Sequence, residues 1–562
     1  MKNREVATIL YEIADLLEMK GVEWRPRSYR KAARSVESLS EPIEELYEEG
    51  RITEVDGIGE SIGSKIEEFL ETGSIEYHQE LKEEVPVDIE ALTSVESLGP
   101  KKVMKLYEAL EIKDLEDLEK ACEEGEVAEV EGFGEKSQEK ILSHIEFARK
   151  GQDRMLLGKA FPEAQELKDR LQSSDNFDNV AIVGSFRRRR PTVGDIDILA
   201  TSSSVESAMS EFCNMIDVKE VRSKGETMSS VVVSGDLQVD LRIVEEGSIG
   251  AAKQYFTGSK DHNITLRKRA IQDGLKLNEY GLFRNDDKIV GEEEREIYRR
   301  LGLQFIPPEL REDTGEVEAA SRGNLPQLVE YGEMNGDFQM HTDYSDGDAT
   351  IQEMAEKADS LGYDYILVTD HGPSLHVAGG PQNREELLEQ QEEIEKTNQN
   401  YGVEVLHGVE ANITKNGLDL DKDALEVLDL VAVALHNKVE NATERIIQVF
   451  EDYQVDIFVH PTNRKINQRE EMDLDMDRII EKAEEENVAI EINSQPKRLD
   501  LPWEQVKKYR DQVDFVVSTD AHRPSELELI HLGVAQARKG WLTSEDVVNT
   551  KTLEELKSYF DL

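Results

Sequence analysis

The sequence of 562 residues is poor in cysteine, in long apolar runs and in positive charge. Its two cysteines, Cys122 and Cys213, lie far apart, which argues against a disulfide framework or a cysteine-ligated metal site. No apolar stretch approaches the roughly 18 residues of a membrane-spanning helix. The amphipathic N-terminus, MKNREVATILYEIADLLEMK, lacks the apolar core and the cleavage site of a signal peptide. We therefore expect a cytoplasmic protein of several domains that does not associate with membranes.

The shortage of positive charge is pronounced, because 67 Lys and Arg face 120 Asp and Glu and give a net charge of −53. The acidic residues are spread along the chain, a pattern that favours adaptation to molar salt, where repulsion is screened within about 3 Å. Residues 181–280 differ, since they hold 14 basic and 14 acidic residues. A locally neutral segment in so acidic a chain predicts that an anionic ligand binds there.

Hydrophobic patterning divides the chain into parts of different structural type. Residues 1 to about 150 have a helical pattern that includes three Gly-containing turns, in VDGIGESIGSKIEEFL, VESLGPKKVMKLYEAL and VEGFGEKSQEKIL. Residues 179–245 contain short apolar runs typical of strands, and residues 250–315 return to helices and turns. Residues 314–336 have the low periodicity of a linker. The remaining residues alternate strand and helix patterns, which is typical of a parallel α/β barrel or sheet.

Three carboxylates are predicted to meet in the strand-rich part. In GSFRRRRPTVGDIDILA, Asp195 and Asp197 are two residues apart on one strand and therefore share a face, and Asp240 in LQVDLRIV can join them from another strand. Carboxylates that converge repel one another unless divalent cations lie between them, and two Mg²⁺ ions are the expected occupants. The Gly184–Ser185 turn with Arg187 and Arg188 suits a triphosphate bound by backbone N–H groups and a guanidinium.

Seven strands are predicted after residue 336, at 337–341, 365–371, 403–410, 430–436, 456–461, 488–494 and 514–522. Six of them end in a histidine or an acidic residue that can bind a metal ion. Mixed imidazole and carboxylate donors at one end of a barrel suit Mn²⁺, Zn²⁺ or Fe, and their number predicts two or three ions. The predicted ligands are His341, Asp346, His371, Glu410, His436, His460, Asp520 and His522.

The motif GSFRRRRPTVGDIDIL, with YFTGSKDHNITLRKRA and LNEYGLF downstream, resembles the nucleotidyltransferase region of family X DNA polymerases. This resemblance implies catalytic and metal-binding roles for Asp195, Asp197 and Asp240, and it implies that Asn263 and Arg267 probe the minor groove of the nascent pair. One departure is Gln238, where well-studied animal members of the family carry an arginine. The implied nucleotide-binding residues are Gly184, Ser185, Arg188, Gly194, Tyr255, Phe256, Gly258, Asn263 and Arg267.

The helical front end resembles the helix-hairpin-helix motifs and the small lyase domain of the same family. Helix-hairpin-helix turns place backbone N–H groups against a DNA phosphate, and the second copy departs by carrying LGP instead of GxG. The lyase likeness makes Lys65 the candidate Schiff-base amine, although an ordinary solvated lysine is an equal alternative, and another lysine of that pocket is Ser61 here. The implied DNA-binding residues are Arg25, Tyr29, Gly57, Gly59, Gly99, Gly132 and Gly134.

The C-terminal part resembles the PHP (polymerase and histidinol phosphatase) domain that many microbial family X polymerases carry. The family opens with HxH, whereas this chain has Gln339 in the first histidine position, so that one metal site is expected to be weakened or completed by water. The likeness implies a 3′→5′ exonuclease or phosphoesterase with abasic-site or 3′-phosphate processing as further activities, and a substrate contact by His376.

The sequence thus predicts a multidomain repair polymerase of six segments that acts on gapped or nicked DNA and dNTPs as a monomer. The fold expected is an all-α helix-hairpin-helix region, an α+β palm with a thumb, and a distorted (β/α)7 PHP barrel. Two alternatives are a phosphoesterase with an inactive palm that only binds DNA, and a non-catalytic scaffold; nucleotide transfer to RNA is a third. The segments are 1–82 (lyase-like), 83–150 (hairpin fingers), 151–250 (palm), 251–315 (thumb), 316–335 (linker) and 336–562 (PHP).

Overall fold

The computed structural model forms two compact units, residues 1–153 with 467–469, and residues 154–466 with 470–562. His376, the expected substrate contact, lies outside the described residues. The structure describes the chain except for residues 1–2, 23, 38, 40–42, 56, 96–97, 139–140, 143–144, 146–153, 216, 234–236, 286, 375–379, 382 and 437–438.

In the first unit, every regular element in the described part of residues 3–145 is a helix, and turns and irregular segments join the helices. Its helices are amphipathic, and their apolar faces form one core that includes Leu10, Ile13, Ile66 and Leu118. Short turns with glycine connect them, as the sequence pattern predicts. The helices span Asn3–Met19, Arg25–Glu37, Ile43–Glu48, Glu60–Thr72, Glu76–Glu84, Ile89–Ser94, Pro100–Leu110 and Leu115–Glu123.

The second unit begins with a five-stranded sheet. Its strands, in order across the sheet, are β2 (Asp178–Ile182), β4 (Asp195–Thr201), β7 (Gln238–Ile243), β6 (Met228–Val233) and β5 (Val218–Lys224). The helices Leu157–Gln172 and Val205–Cys213 contribute buried apolar residues to the same core as this sheet. Strands β4 and β7 are parallel, and their register places Asp197 opposite Asp240. Apart from this sheet, β1 (Met155–Leu156) pairs with β3 (Thr192–Val193).

A smaller three-stranded sheet follows, with two helices before it and one after it. Its strands are β8 (Lys276–Asn278), β9 (Gly281–Arg284) and β10 (Asp287–Val290), and the helices span Ile249–Thr257, Lys260–Gln272 and Glu294–Arg300.

The predicted linker differs from the structure, because residues Glu316–Arg322 form a helix. Val317 packs in the apolar core of this region, and the buried Glu316 carboxylate lies 2.6 Å from Nδ1 of His262. Anchoring contacts of this kind are not visible in the periodicity of a seven-residue helix.

The C-terminal part is a barrel of parallel strands that follow one another around it in chain order. A bridge between Met340 and Ala521 joins its first and last strands. Each of the seven predicted strands is present, which confirms the expected (β/α)7 architecture. In the part of the chain that the structure describes, no helix is long and apolar enough to cross a membrane. The strands are β11 (Gly336–Met340), β12 (Tyr365–Val368), β13 (Glu404–Thr414), β14 (Gly417–Leu418), β15 (Leu430–Ala434), β16 (Ile457–Phe458), β17 (Ala489–Asn493) and β18 (Phe515–Ser518).

Helices separate these strands and cover the outside of the barrel. They span Ile351–Leu361, Arg384–Asn398, Lys422–Leu425, Ala442–Asp452, Met476–Glu486, Trp503–Tyr509, Ile530–Lys539 and Leu553–Tyr559. The first is fixed by a reciprocal capping box between Thr350 and Glu353. Because the strands are parallel, their carboxyl ends gather at one end of the barrel, where the predicted metal ligands lie.

Candidate functional sites

The first candidate site is the carboxylate cluster on the five-stranded sheet. Asp195 and Asp197 lie on the same face of β4, and Asp240 is the partner of Asp197 on β7. One ligand oxygen from each of the three lies within 4.8 Å of the others. This arrangement gathers three oxygen ligands, which is the donor set that Mg²⁺ prefers.

The cluster is electrostatically unfavourable without cations. Burial, followed by repulsion from Asp195 and Asp240, raises the pKa of Asp197 to about 7. The pKa of Asp195 is also raised by burial and by Asp240. Divalent cations would remove this repulsion, so the residues present fit a metal site.

Asp240 is held by a relay that the sequence did not reveal. The Gln238 amide donates from Nε2 to Asp240 Oδ1 at 3.1 Å, and Arg222 on β5 donates from Nη1 to Gln238 Oε1 at 2.8 Å. Arg222 was not predicted because β5 was not recognised as a strand. The glutamine thus still supplies a hydrogen bond to the third carboxylate, and the positive charge comes from the edge strand β5, which β6 separates from β7.

The turn before β4 brings the backbone against the carboxylates. Gly184 has φ of 65°, and a Cβ at this position would lie 2.1 Å from Asp197 Oδ2. Only glycine fits there without displacing the carboxylate. Ser185 is half-buried in the short helix Gly184–Arg187, and Gly194 directly precedes Asp195.

Three of the four consecutive arginines, Arg187, Arg188 and Arg190, pair with carboxylates from the thumb region. Arg187 pairs with Glu294 at 2.7 Å, and the buried Arg311 pairs with the same carboxylate at 2.6 Å. Burial opposes ionisation of Glu294, but Arg311 and Arg187 outweigh it and lower its pKa to about 2. Arg188 lies with its Nε 3.3 Å from Glu312 Oε1 and donates from Nη1 to the Thr257 carbonyl.

The predicted sugar- and base-binding residues lie on the helices that follow. Tyr255 and Phe256 pack edge to face with ring centroids 5.1 Å apart, and Gly258 has φ of 68° beside the Arg188 guanidinium. Asn263 is buried, and its Nδ2 donates to the Tyr255 carbonyl at 2.7 Å. Arg267 lies on the helix Lys260–Gln272 and is half-buried.

The second candidate site lies at the carboxyl ends of the barrel strands, where all eight predicted ligands gather. Ligand atoms of one group lie within 4.8 Å of one another, and so do those of a second group that shares His371. The first group is His341, Asp346, His371 and His522, and the second is His371, Glu410 and His436.

Glu410 on β13 joins the two groups. Its Oε1 lies 3.0 Å from His436 Nε2 and 3.5 Å from His460 Nε2. Its Oε2 lies 3.4 Å from His371 Nδ1 and 3.3 Å from His341 Nε2. A carboxylate with imidazoles on both oxygens is suited to bridge two metal ions.

Asp346 and Asp520 complete the two sides of this cluster. Asp346 lies 3.6 Å from His371 Nε2 and 3.5 Å from His522 Nε2. Asp520 lies 3.2 Å from His341 Nε2 and 3.7 Å from His460 Nε2.

The protonation states of the barrel ligands fall into two sets. Burial opposes protonation of His341 and His522, but the neighbouring carboxylates outweigh it and raise the pKa of both imidazoles, so metal binding there must displace a proton. Burial lowers the pKa of His371 to about 4 and also lowers that of His460, so both imidazoles are neutral at pH 7. Burial opposes ionisation of Glu410, but His371, His436 and His460 outweigh it and lower its pKa. Neutral imidazoles and ionised carboxylates are the metal-binding forms.

Unpaired atoms in the barrel point to the same conclusion. Within the described residues, the buried atoms His341 Nδ1, His371 Nδ1 and Glu410 Oε1 make no hydrogen bond. Buried polar atoms are normally satisfied, so these are available to metal ions. Gln339 donates from Nε2 to Glu410 Oε2 at 2.9 Å, and its buried Oε1 is likewise unpaired.

Several residues around the barrel site were missed by sequence reasoning. Glu491 lies with Oε2 3.4 Å from His460 Nδ1, and Arg498 lies 3.6 Å from Asp520 Oδ2. Asp370 accepts hydrogen bonds from the backbone of Thr342 and from the Ser345 hydroxyl, and thereby fixes the loop that carries Asp346. Only the position of Asp370 beside His371 could have been a signal.

The predicted hairpin glycines begin helices in the first unit. Gly59 and Gly99 are the N-cap residues of the helices Glu60–Thr72 and Pro100–Leu110, and they offer no side-chain cap. The N-terminal N–H groups are therefore open to a phosphate. Gly57 and Gly132 adopt positive φ of 77° and 94°, and Gly134 directly precedes residues 135–138, which form a turn of helix.

The predicted lyase residues are also in this unit. Lys65 donates from Nζ to the Ser61 carbonyl at 3.1 Å and lies 5.1 Å from the centroid of the Tyr77 ring. Tyr29 is buried, which raises its pKa to about 12, and Arg25 is exposed.

Four family models match the chain in the order of these structural parts. A helix-hairpin-helix domain matches residues 1–75, and a SAM-like helix-hairpin-helix tandem matches residues 89–146. The DNA polymerase beta thumb matches residues 252–312, and the PHP domain matches residues 337–495.

Comparison with curated proteins gives a full-length relative. The DNA polymerase/3′-5′ exonuclease PolX of Bacillus subtilis (strain 168) is 35% identical over 574 aligned residues, which cover 100% of this chain and 99% of the relative. The chain therefore belongs to the family X DNA polymerases that carry a C-terminal PHP domain.

Two further relatives match parts of the chain. DNA polymerase lambda of Rattus norvegicus is 25% identical over 346 residues, which cover 55% of this chain and 56% of the relative. A probable phosphatase of Acetivibrio thermocellus is 32% identical over 154 residues, which cover 26% of this chain and 59% of the relative.

Proposed function

We propose that the five-stranded sheet carries a gap-filling DNA polymerase site that uses two Mg²⁺ ions. The observation that carries this proposal is the meeting of Asp195, Asp197 and Asp240 within 4.8 Å beside the Gly184 turn. Two Mg²⁺ ions in this position would activate the primer hydroxyl and stabilise the leaving pyrophosphate. The chain contributes by holding the carboxylates on rigid parallel strands, with Asp240 fixed by the Gln238 amide.

The nucleotide would lie between this cluster and the thumb region. Ser185 and Arg188 bind its triphosphate, because both lie at the turn that precedes the carboxylates. Gly194 has no side chain and therefore leaves room for the nucleotide beside Asp195. Tyr255 and Phe256 pack beside the sugar, and Gly258 lets the backbone approach. Asn263 and Arg267 then face the minor groove of the nascent base pair.

The carboxylate cluster can be tested with one substitution and one matched control. Asp240→Asn removes a ligand charge without a change in size and is expected to abolish primer extension on gapped DNA. Asp178→Asn lies at the exposed start of β2 in the same sheet and is expected to leave extension intact. Extension retained by Asp240→Asn would overturn the assignment.

We propose that the barrel is a 3′→5′ exonuclease and phosphoesterase, with abasic-site or 3′-phosphate processing as further activities. Its donor set suits two or three Mn²⁺ or Zn²⁺ ions, which would supply charge stabilisation to a phosphodiester. Glu410 would help to hold two of these ions, because imidazoles meet both of its oxygens. Gln339 contributes its unpaired Oε1 where the family has an imidazole, so that this position binds metal more weakly.

Metal content tests the barrel assignment independently of activity. Glu410→Gln is expected to lose at least one equivalent of bound metal, measured by mass spectrometry of the purified protein, together with 3′ degradation. His531→Ala is the matched control, because His531 lies on the helix Ile530–Lys539, belongs to neither group of ligands and packs against Phe161. Unchanged metal content in Glu410→Gln would contradict the proposal.

The helical unit is proposed to hold DNA across a small gap. The open helix N-termini at Gly59 and Gly99 bind the backbone phosphates without reading sequence. Arg25 and Tyr29 receive the 5′-phosphate, and Lys65 is the candidate amine for abasic-site lyase chemistry in base excision repair.

We infer that the enzyme works in the cytoplasm as a monomer at high salt, with the six segments dividing its tasks as the sequence predicts. The spread of acidic residues supports function at high salt, because a chain with a net charge of −53 repels itself less when salt screens its charges. Primer extension that is retained in roughly 2 M KCl would support salt adaptation, and its loss there would contradict it.

A further inference from the structure

A buried lysine links the barrel to the polymerase site. Lys539 ends the barrel helix Ile530–Lys539 and has its ammonium group completely buried. Its Nζ donates to the Arg188 carbonyl at 3.1 Å, to the Glu309 carbonyl at 3.2 Å and to Glu312 Oε1 at 2.9 Å. A buried ammonium persists only where such partners compensate its lost hydration, so this position is specified by the contacts between barrel and palm.

The carboxylate that Lys539 contacts is surrounded by cations. Glu312 Oε1 lies 3.3 Å from Arg188 Nε, and its Oε2 lies 3.7 Å from Arg190 Nη1. With Lys539, three cations therefore surround one carboxylate, and the group has an excess of positive charge in a chain of net charge −53. Burial opposes ionisation of Glu312, but Lys539, Arg188 and Arg190 outweigh it and lower its pKa.

This arrangement bears on the guanidinium assigned to the triphosphate. Arg188 is bound to Glu312 through Nε and to the Thr257 carbonyl through Nη1. To meet triphosphate oxygens it must give up or share the carboxylate. The ease of that exchange depends on how well the remaining cations satisfy Glu312.

We propose that Lys539 is a positioning residue of the polymerase site, which holds the Glu312 carboxylate so that Arg188 can exchange it for the triphosphate of an incoming nucleotide. The nuclease barrel thus sets the nucleotide affinity of the polymerase. This inference rests on the assignment of Arg188 to the triphosphate in the proposed function. Without the ammonium, Glu312 keeps only the two arginines and binds Arg188 more tightly.

The test measures the Kd of a complementary dNTP on the full-length protein bound to gapped DNA with a dideoxy-terminated primer. Lys539→Met is expected to raise this Kd by about tenfold, the effect of one charge-assisted hydrogen bond. Lys539→Arg keeps the charge and should restore most of the affinity. The rate of 3′ degradation should stay unchanged, because Lys539 does not contact the barrel ligands.

Two further variants test whether Lys539 acts through Glu312 or only through the packing of the barrel against the polymerase site. Arg538→Met is the matched control, because Arg538 is the preceding residue of the same helix and pairs with Glu309 at 2.9 Å instead of Glu312. It should leave the Kd unchanged. The double variant Lys539→Met/Glu312→Gln removes both charges. It should therefore fold even if the single variant does not. Its Kd for the dNTP should return toward that of the wild type.

The proposal is overturned if Lys539→Met leaves the Kd unchanged, or if Arg538→Met raises it equally. It is also overturned if the double variant keeps the full increase, since the carboxylate would then not mediate the effect. These outcomes differ from a failure of the proposed polymerase function, which primer extension by the wild type and by Asp240→Asn reports separately.

Discussion

The repulsion among the three palm carboxylates leads to a prediction about stability. The pKa of Asp197 is raised from its ordinary 3.8 to about 7, first by burial and then by Asp195 and Asp240, while Arg242 and Arg188 offset part of the effect. Because this pKa is higher in the folded state than in the unfolded chain, Asp197 does not reduce the free energy of unfolding below about pH 4. Its ionisation lowers that free energy as the pH rises through about 7. At about 1.4 kcal/mol per pKa unit, ionised Asp197 destabilises the fold by at most about 4 kcal/mol.

Asp197→Asn removes this charge and keeps the size of the side chain. Because salt and local relaxation reduce the repulsion, we expect a gain of about 2 kcal/mol at pH 8, which raises the Tm of the palm-containing unit by roughly 2 °C. The assay is thermal unfolding of the full-length protein with a chelator, at pH 4.5 and at pH 8. The gain should be small at pH 4.5, and excess Mg²⁺ should abolish it because bound cations already neutralise the cluster.

Asp178→Asn, on the same sheet but exposed, serves as the control and should not change the Tm. A lower Tm for Asp197→Asn at pH 8 with chelator would refute the reasoning. So would an equal gain at both pH values, because the effect would then not come from ionisation.

Three shorter predictions concern single side chains of the two units. Arg188→Ala should raise the KM for dNTP at least tenfold in gap filling, since it removes a charge-assisted contact, and an unchanged KM would contradict its assignment. Gln238→Ala and Arg222→Ala should each raise the Mg²⁺ concentration needed for half-maximal extension by a few-fold, because Asp240 loses its support; identical Mg²⁺ curves would disprove the relay. Lys65→Ala should leave gap filling unchanged while it eliminates the borohydride-trapped adduct with abasic DNA, and an adduct that persists would place the amine elsewhere.

The parts of the fold that the sequence predicts are those governed by local patterns. Apolar runs in the sequence predict β4, β7 and the seven barrel strands, because buried parallel strands are rich in apolar residues. The positions of His341, His371 and His436 at strand ends predicted that they would meet, since the carboxyl ends of parallel strands lie together.

What the sequence could not predict depends on contacts between distant residues. Strand β5, VKEVRSK, is exposed and charged and has no apolar alternation, so Arg222 could not be placed beside Gln238. The helix Glu316–Arg322 was read as linker because it is short and is fixed by His262. The ion pair of Lys539 with Glu312 joins residues 227 positions apart, and no local pattern reports it.

Two metal centres with separate chemistry in one chain should give two activities that can be removed one at a time. A gapped DNA with a labelled primer tests this expectation in a single time course with the wild type, Asp195→Ala and His341→Ala. We predict that the wild type extends and trims the primer, that Asp195→Ala only trims it, and that His341→Ala only extends it. The account would be contradicted if either variant lost both activities, or if both variants kept both activities.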